Sequence, residues 1–207
     1  MGEVVIKNAA SGDTAKVTAN QALKVSAVTE RLRDHSCDSG IAQKFNINTG
    51  DITLTDDAAT SVLYMKNNST LGDLIITALI YNLGNTNGSG DVKIDVVRNP
   101  TTGDIITNGN NVLVGAGTEA NQNFGSQNVL VADIYKGATA ESLLDDGDVS
   151  VSTRLAANTG RIFIDLGNMS LPKGASLGIN YTPPSGNTSQ IVQFAAACFH
   201  RTEELDT

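Results

Sequence analysis

The sequence predicts an all-β protein: an antiparallel β-sandwich, jelly roll in type, with an extended N-terminal arm. Three observations carry that prediction. Stretches that alternate apolar and polar residues recur about every ten residues, and Gly, Asn, Asp or Pro closes each of them. The chain of 207 residues is 40% hydrophobic but only 4% aromatic, with 20 Gly and no Trp. Asn and Thr each contribute roughly a tenth, a mixture that suits short strands and polar turns better than helices. Roughly eight to ten such strands, with long cross-connections and no repeat period, favour a jelly roll over an immunoglobulin-like sandwich, whose usual core Trp is missing.

Residues 1–35 read as the arm and residues 36–207 as the sandwich domain. In the arm, 4–6 is a short apolar run, 8–13 a loop, and 15–19 and 22–28 two short alternating pieces. Glu30, Arg31, Arg33 and Asp34 mark the junction, although a solvated turn inside one domain explains that cluster equally well.

In the body, 41–47 and 52–54 read as strands about a hairpin-like turn made by Asn48, Thr49, Gly50 and Asp51. Residues 61–66 form the next strand. The stretch 74–83 is nearly all apolar, as a strand covered on both faces is. A polar turn at 84–90 leads into 92–97, where Val92, Ile94 and Val96 share one face. The chain turns again at 98–103 into Ile105 and Ile106. Residues 108–128 are rich in Gly and Asn and read as a long excursion, with 112–114 a short strand and Phe124 an isolated anchor. Strand character resumes at 129–135. The stretch 138–144 is the one helix candidate, ended by Asp145, Asp146 and Gly147. Two further strands, 149–155 and 161–166, follow, the second setting Ile162 and Ile164 against Phe163 and Asp165.

The stretch 171–201 then reads as two arms of one hairpin. Its first arm puts Leu177, Ile179 and Tyr181 on one side and Ser176, Gly178 and Asn180 on the other. The second is apolar on both faces, with Val192, Phe194, Ala196 and Cys198 against Ile191, Gln193, Ala195 and Ala197, so cover on both sides is expected. Pro183, Pro184, Ser185, Gly186 and Asn187 cannot continue a ladder and supply the turn.

Charge and hydropathy exclude several functions. There are 14 Lys and Arg against 22 Asp and Glu, a net charge of −8, so nucleic acid is not expected as a direct partner. The longest apolar run, 74–81, is far short of the ~20 residues of a bilayer span, and the opening residues lack a signal-peptide core. A soluble protein with no membrane partner is expected. Gly2 does not open a myristoylation motif, because Ile6 stands where Ser or Thr is needed.

Motifs for chemistry are few. Gly174, Ser176 and Gly178 match G-x-S-x-G, but a strand and two prolines follow where the nucleophile elbow needs a helix. His35 with Cys37, and Cys198 with His200, are i, i+2 pairs that would share a strand face. Adjacent first and last strands would make them a Cys2His2 zinc site, against the plainer reading of two buried thiols beside histidines. Asp145, Asp146 and Asp148, or Asp56 and Asp57, offer hard oxygens for calcium, but they lack EF-hand spacing and its closing Glu, and solvated turn aspartates are the favoured reading. The sequons at Asn67, Asn68, Asn87, Asn168 and Asn187 are chance matches in so Asn-rich a chain. No catalytic residue and no cofactor are expected, and the chain is read as not an enzyme.

RNPTTG at 98–103, NFGS at 123–126, YKG at 135–137, and 171–193 with its PKG and TPPSGNTS elements resemble small virion structural proteins of tailed bacteriophages, marine ones in particular. The resemblance implies a capsid decoration or cement protein, commonly a jelly roll and commonly a trimer. Its implied partner is the major capsid protein, and its implied location is the capsid surface after synthesis in the host cytoplasm. The alternative is a host-adhesion or carbohydrate-binding β-sandwich, which usually presents exposed aromatic faces.

Overall fold

The computed structural model of the protein describes residues 5–7, 14–16, 44–70, 72–107, 112–113, 121–122, 129–158 and 160–202. The chain divides into two compact units, Met1–Leu32 and Arg33–Thr207. In the first, β1 (Val5–Lys7) and β2 (Thr14–Lys16) pair antiparallel with Ile6 opposite Ala15. Phe124 and residues 41–43 lie outside the described residues, as do 22–28 of the arm.

In the second unit, β3 (Lys44–Asn48), β4 (Ile52–Leu54), β5 (Thr60–Asn67), β6 (Gly72–Leu83) and β7 (Asp91–Arg98) come first. A helical turn, α1 (Asp104–Thr107), and the short β8 (Val112–Leu113) follow. Then come β9 (Ala132–Lys136), β10 (Asp148–Ala156), β11 (Gly160–Leu171), β12 (Ser176–Thr182) and β13 (Gln190–Thr202). One sheet runs β10-β7-β12-β5-β9-β8, and the other β11-β6-β13-β3 with β4 also on β13.

The antiparallel pairs nest: β3 and β4 with β13, β5 with β12, β6 with β11, β7 with β10. A doubled ribbon folded so that successive pairs fall in alternate sheets is the jelly roll, and the strand order identifies it directly. β8 and β9 belong to the long connection between β7 and β10 and extend the first sheet beyond β5.

The core lies between the two sheets and is filled by inward-facing residues of both. Val92, Ile94 and Val96 of β7 enter it together, as their spacing predicts, with Leu177, Ile179 and Tyr181 of β12 beside them. From the other sheet come Leu74, Ile76, Leu79, Tyr81 and Leu83. The change of parity on β6 is taken up at Thr77, where the register with β13 shifts and the hydroxyl donates to the Ala197 carbonyl at 3.1 Å. Phe194 stands at the centre, with ring centroids 5.3 Å from Tyr81 and 5.8 Å from Tyr181.

The two tyrosines differ in one respect. The Tyr181 hydroxyl donates to Gln190 Oε1 at 2.8 Å, whereas the Tyr81 hydroxyl is buried with no hydrogen-bond partner among the described residues. Leaving such a group unsatisfied costs about 1–3 kcal/mol. Tyr81→Phe is therefore expected to raise stability by about 1 kcal/mol and Tyr181→Phe to lower it by a similar amount. Urea unfolding of the two variants side by side checks the opposite signs; a destabilised Tyr81→Phe would mean that its hydroxyl does bond.

Four local expectations are corrected. The stretch 171–201 is not a hairpin: β12 lies in one sheet and β13 in the other, joined by an arch over 183–189. Both prolines of the arch are buried, and lacking N–H groups they could not have joined a ladder at the end of β12. Nor do β3 and β4 form a hairpin, since both lie along the same edge of β13 as one interrupted strand. At the interruption Gly50 N–H donates to Asn48 Oδ1 and adopts φ 65°. Thr49 bridges back, its N–H donating to the Phe194 carbonyl at 2.9 Å and its Oγ1 accepting from Phe194 N–H at 3.0 Å.

The third correction is that 138–144 is a loop, not a helix. Leu144 is held in both directions by the buried Asn180 side chain, which accepts from its N–H at 3.0 Å and donates to its carbonyl at 2.9 Å. The helical turn falls instead at Asp104–Thr107, where Asp104 and Ser142 exchange two bonds. Finally, the outer face of β13 is not fully covered: Ile191 is exposed, and Gln193, Ala195 and Ala197 are half-buried.

Candidate functional surface

His35 and Cys37 lie outside the described residues. Cys198 and His200 do share a face of β13, as i, i+2 spacing requires, but it is the face turned to the core. Burial pushes the Cys198 thiol up to about 12, which favours the neutral thiol over the thiolate that zinc binds. His200 packs edge-on to Phe45 with centroids 6.3 Å apart. Its pKa is lowered by burial, with the Asp73 backbone pulling the other way. No three His, Cys, Asp or Glu side chains cluster around a common point among the described residues.

The other candidates hold loops together. Ser176 sits buried inside β12, its backbone exchanging two 2.9 Å bonds with Asn99. Asp57 accepts from Gly186 N–H at 2.8 Å and Asp56 from Ala58 N–H at 3.1 Å. Asn67, a sequon by pattern, is fully buried and donates to the Leu171 and Gly72 carbonyls. Asn187, also buried, donates to the Asp56 carbonyl at 2.7 Å and accepts from Thr86 Oγ1 at 2.6 Å. Asp57 and Asn187 thus tie the arch to its neighbouring loops. Three of the four tyrosines are buried, and Tyr135 lies half-buried in a stack on Tyr64. None presents an open aromatic face of the kind that sugars stack on.

What remains available is surface, and it is distributed unevenly. The long connection after β7 folds back over the outer face of the β10-to-β8 sheet. There Ile105 and Leu144 pack on Tyr64, and Gly178 of β12 has no side chain because Leu144 and Pro100 occupy that space. The same connection covers two edges, with β9 and β8 beyond β5, and Asn121 bridging to Phe45 on β3. At the opposite side of the sandwich nothing comparable occurs among the described residues. The outermost strands there are β10, of 9 residues, and β11, of 12.

Between these two strands the core comes close to the surface. Val151 and Leu155 of β10, and Ile162, Ile164, Leu166 and Met169 of β11, pack on the core yet stay half-buried. On the outer face of β11, Phe163 is 63% exposed, the most of any large apolar side chain described. Its cross-strand row continues through half-buried Ile80 and Ala195. The alternation of 161–166 shows which residues share a face, but period-two patterning carries no information on whether a strand lies at an edge. This surface was therefore invisible to sequence reasoning.

No protein-family model and no curated protein matches the chain. Among solved structures it is similar to the decameric BFDV capsid protein, at 9% identity over 78% of this chain and 98% of that one, TM-score 0.33. It is also similar to a tomato aspermy virus structure, at 11% identity over 88% and 86%, TM-score 0.28. A third likeness is to infectious bursal disease virus, Gx strain, at 10% identity over 79% and 37%, TM-score 0.24.

Proposed function

We propose that this chain is a non-enzymatic virion structural protein, a decoration or cement protein that binds the major capsid protein lattice on the capsid surface. One observation carries the reading: the chain seals one sheet face itself, while on the opposite side two long edge strands and an exposed Phe163 have no cover among the described residues. Edge strands and apolar faces are the means by which β-proteins join assemblies. The phage resemblance of its sequence motifs supports the same reading, and the net charge of −8 suits a protein partner better than a nucleic acid. Jelly rolls serve many functions, so the fold alone does not decide.

In this reading residues 1–35 are the arm that grips a neighbouring subunit, and 36–207 the rigid body. On the capsid lattice, copies of the chain are arranged about a symmetry axis, threefold by the resemblance. The protein is made in the host cytoplasm and joins the particle there.

Co-sedimentation with phage capsids stripped of their decoration tests the reading. Saturable binding is expected, with deletion of residues 1–30 abolishing it while the β circular dichroism and cooperative unfolding of the body persist. Failure of the full chain to associate with either stripped or intact capsids would overturn the proposal.

A further inference from the structure

We infer that β11 is a self-association edge, pairing antiparallel with β11 of a second copy about a twofold axis through Phe163. The pairable stretch is short and well bounded. It begins at Gly160, in the left-handed region at φ 78°, and ends where Gly167 and Asn168 take φ 57° and 68° and the register with β6 breaks. Between these limits β11 is regular, paired to β6 on one side and to no described strand on the other. No Pro, no Lys and no bulge before residue 166 blunts this edge.

The sequence of that stretch, Arg161-Ile-Phe-Ile-Asp165, is complementary to itself in one register. In an antiparallel pair centred on residue 163, each residue at +k faces the partner's residue at −k. Phe163 then meets its own copy, Ile162 faces Ile164, and Arg161 faces Asp165 twice over. Both faces of the strand match at once. The half-buried isoleucines lie on the core side and would continue the apolar layer across the axis, while the exposed Phe and charges lie on the outer side. Moving the centre to 161 or 165 would set like charges opposite each other, so the charges also select the register. Arg161 makes no ion pair among the described residues, and Asp165 accepts one bond, from Gly167 N–H at 2.9 Å. A second copy is therefore the occupant that the charge pattern specifies.

Association through one strand is weak by nature, with a dissociation constant expected at roughly 10–100 μM. Sedimentation equilibrium of the full chain up to about 1 mM, a range set by that weak affinity, should show a monomer–dimer component. Arg161→Asp alone and Asp165→Arg alone each set like charges opposite twice and should weaken it about tenfold. The double variant Arg161→Asp/Asp165→Arg restores complementarity and should return to within about threefold of the parent.

Phe163→Cys gives an independent measurement. Facing Cα atoms about 5 Å apart lie within disulfide range, so mild oxidation should yield a covalent dimer. Arg161→Cys should not cross-link to itself but should do so to Asp165→Cys in a mixture, with parent protein as the control for Cys37 and Cys198. A parent that stays monomeric while Phe163→Cys cross-links no faster than Arg161→Cys would overturn the inference. So would an oligomer indifferent to both single reversals, or singles that weaken it without rescue by the double. These measurements need no capsid, so their failure and a failure of capsid binding are separate results.

Discussion

Phe194→Ala is expected to destabilise the sandwich by about 3–5 kcal/mol, the range for an aromatic removed from a closed core. Its ring lies between the sheets and is fully buried, touching Tyr81 of its own sheet and Tyr181 of the other. Of the two neighbours, Tyr181 is not free to fill the space. Tyr181 is fixed at its far end by Gln190, whose Nε2 in turn donates to the Gly84 carbonyl at 3.0 Å. The Phe194 backbone is pinned to Thr49, so β13 cannot settle inwards. A cavity should therefore persist. Phe194→Leu should cost roughly half as much, because most of the volume is kept. Urea titrations with a common slope measure both. A loss below about 1.5 kcal/mol for the alanine variant would show that the centre can collapse, contrary to this bonding.

The strands and their inward faces could be read from the chain because both follow from period-two alternation. Val92, Ile94 and Val96 entered the core together, and Ile162 and Ile164 took the core side while Phe163 and Asp165 took the other. Partnership between strands was less legible, because it depends on connections. Seven residues with two prolines can close a hairpin or arch between sheets, and the choice is made by distant partners, β5 and β7 for β12 and β3, β4 and β6 for β13. Likewise the Asn48–Asp51 segment carries the residues of a hairpin turn, yet the Thr49 bridge to Phe194 makes it a bulge within one continuous edge.

The helix expected at 138–144 failed for a related reason. Ala, Glu and Leu favour a helix locally, but Asn180, 36 residues away in sequence, claims both backbone groups of Leu144. Of the candidate surface, the complementarity of Arg161 to Asp165 about Phe163 was present in the sequence throughout. It acquires meaning only once the fold places β11 at the rim.

Gly137→Ala is expected to cost about 3 kcal/mol or more, at the upper end for added bulk, because a methyl there would overlap the Ser61 carbonyl oxygen. The obstacle is backbone, so no side chain can rotate away. The segment is held from several directions: Gly137 N–H donates to the Val62 carbonyl at 3.1 Å, and Thr60 Oγ1 donates to the Ala138 carbonyl at 2.6 Å. Thr139 Oγ1 donates to the Thr53 carbonyl at 2.7 Å. Relief requires β9 and the loop behind it to lift from β5, taking Leu144 off Tyr64 and uncovering the sealed face. The damage should therefore be local before it is global. Amides of β9 should lose hydrogen-exchange protection while β6 and β13, at the centre of the other sheet, keep theirs. The variant should also self-associate through the newly exposed apolar face, and Asp165→Arg should not reverse that, since a different surface is involved. Uniform loss of protection across both sheets would mean instead that this connection is integral to the fold and not a cover laid over it.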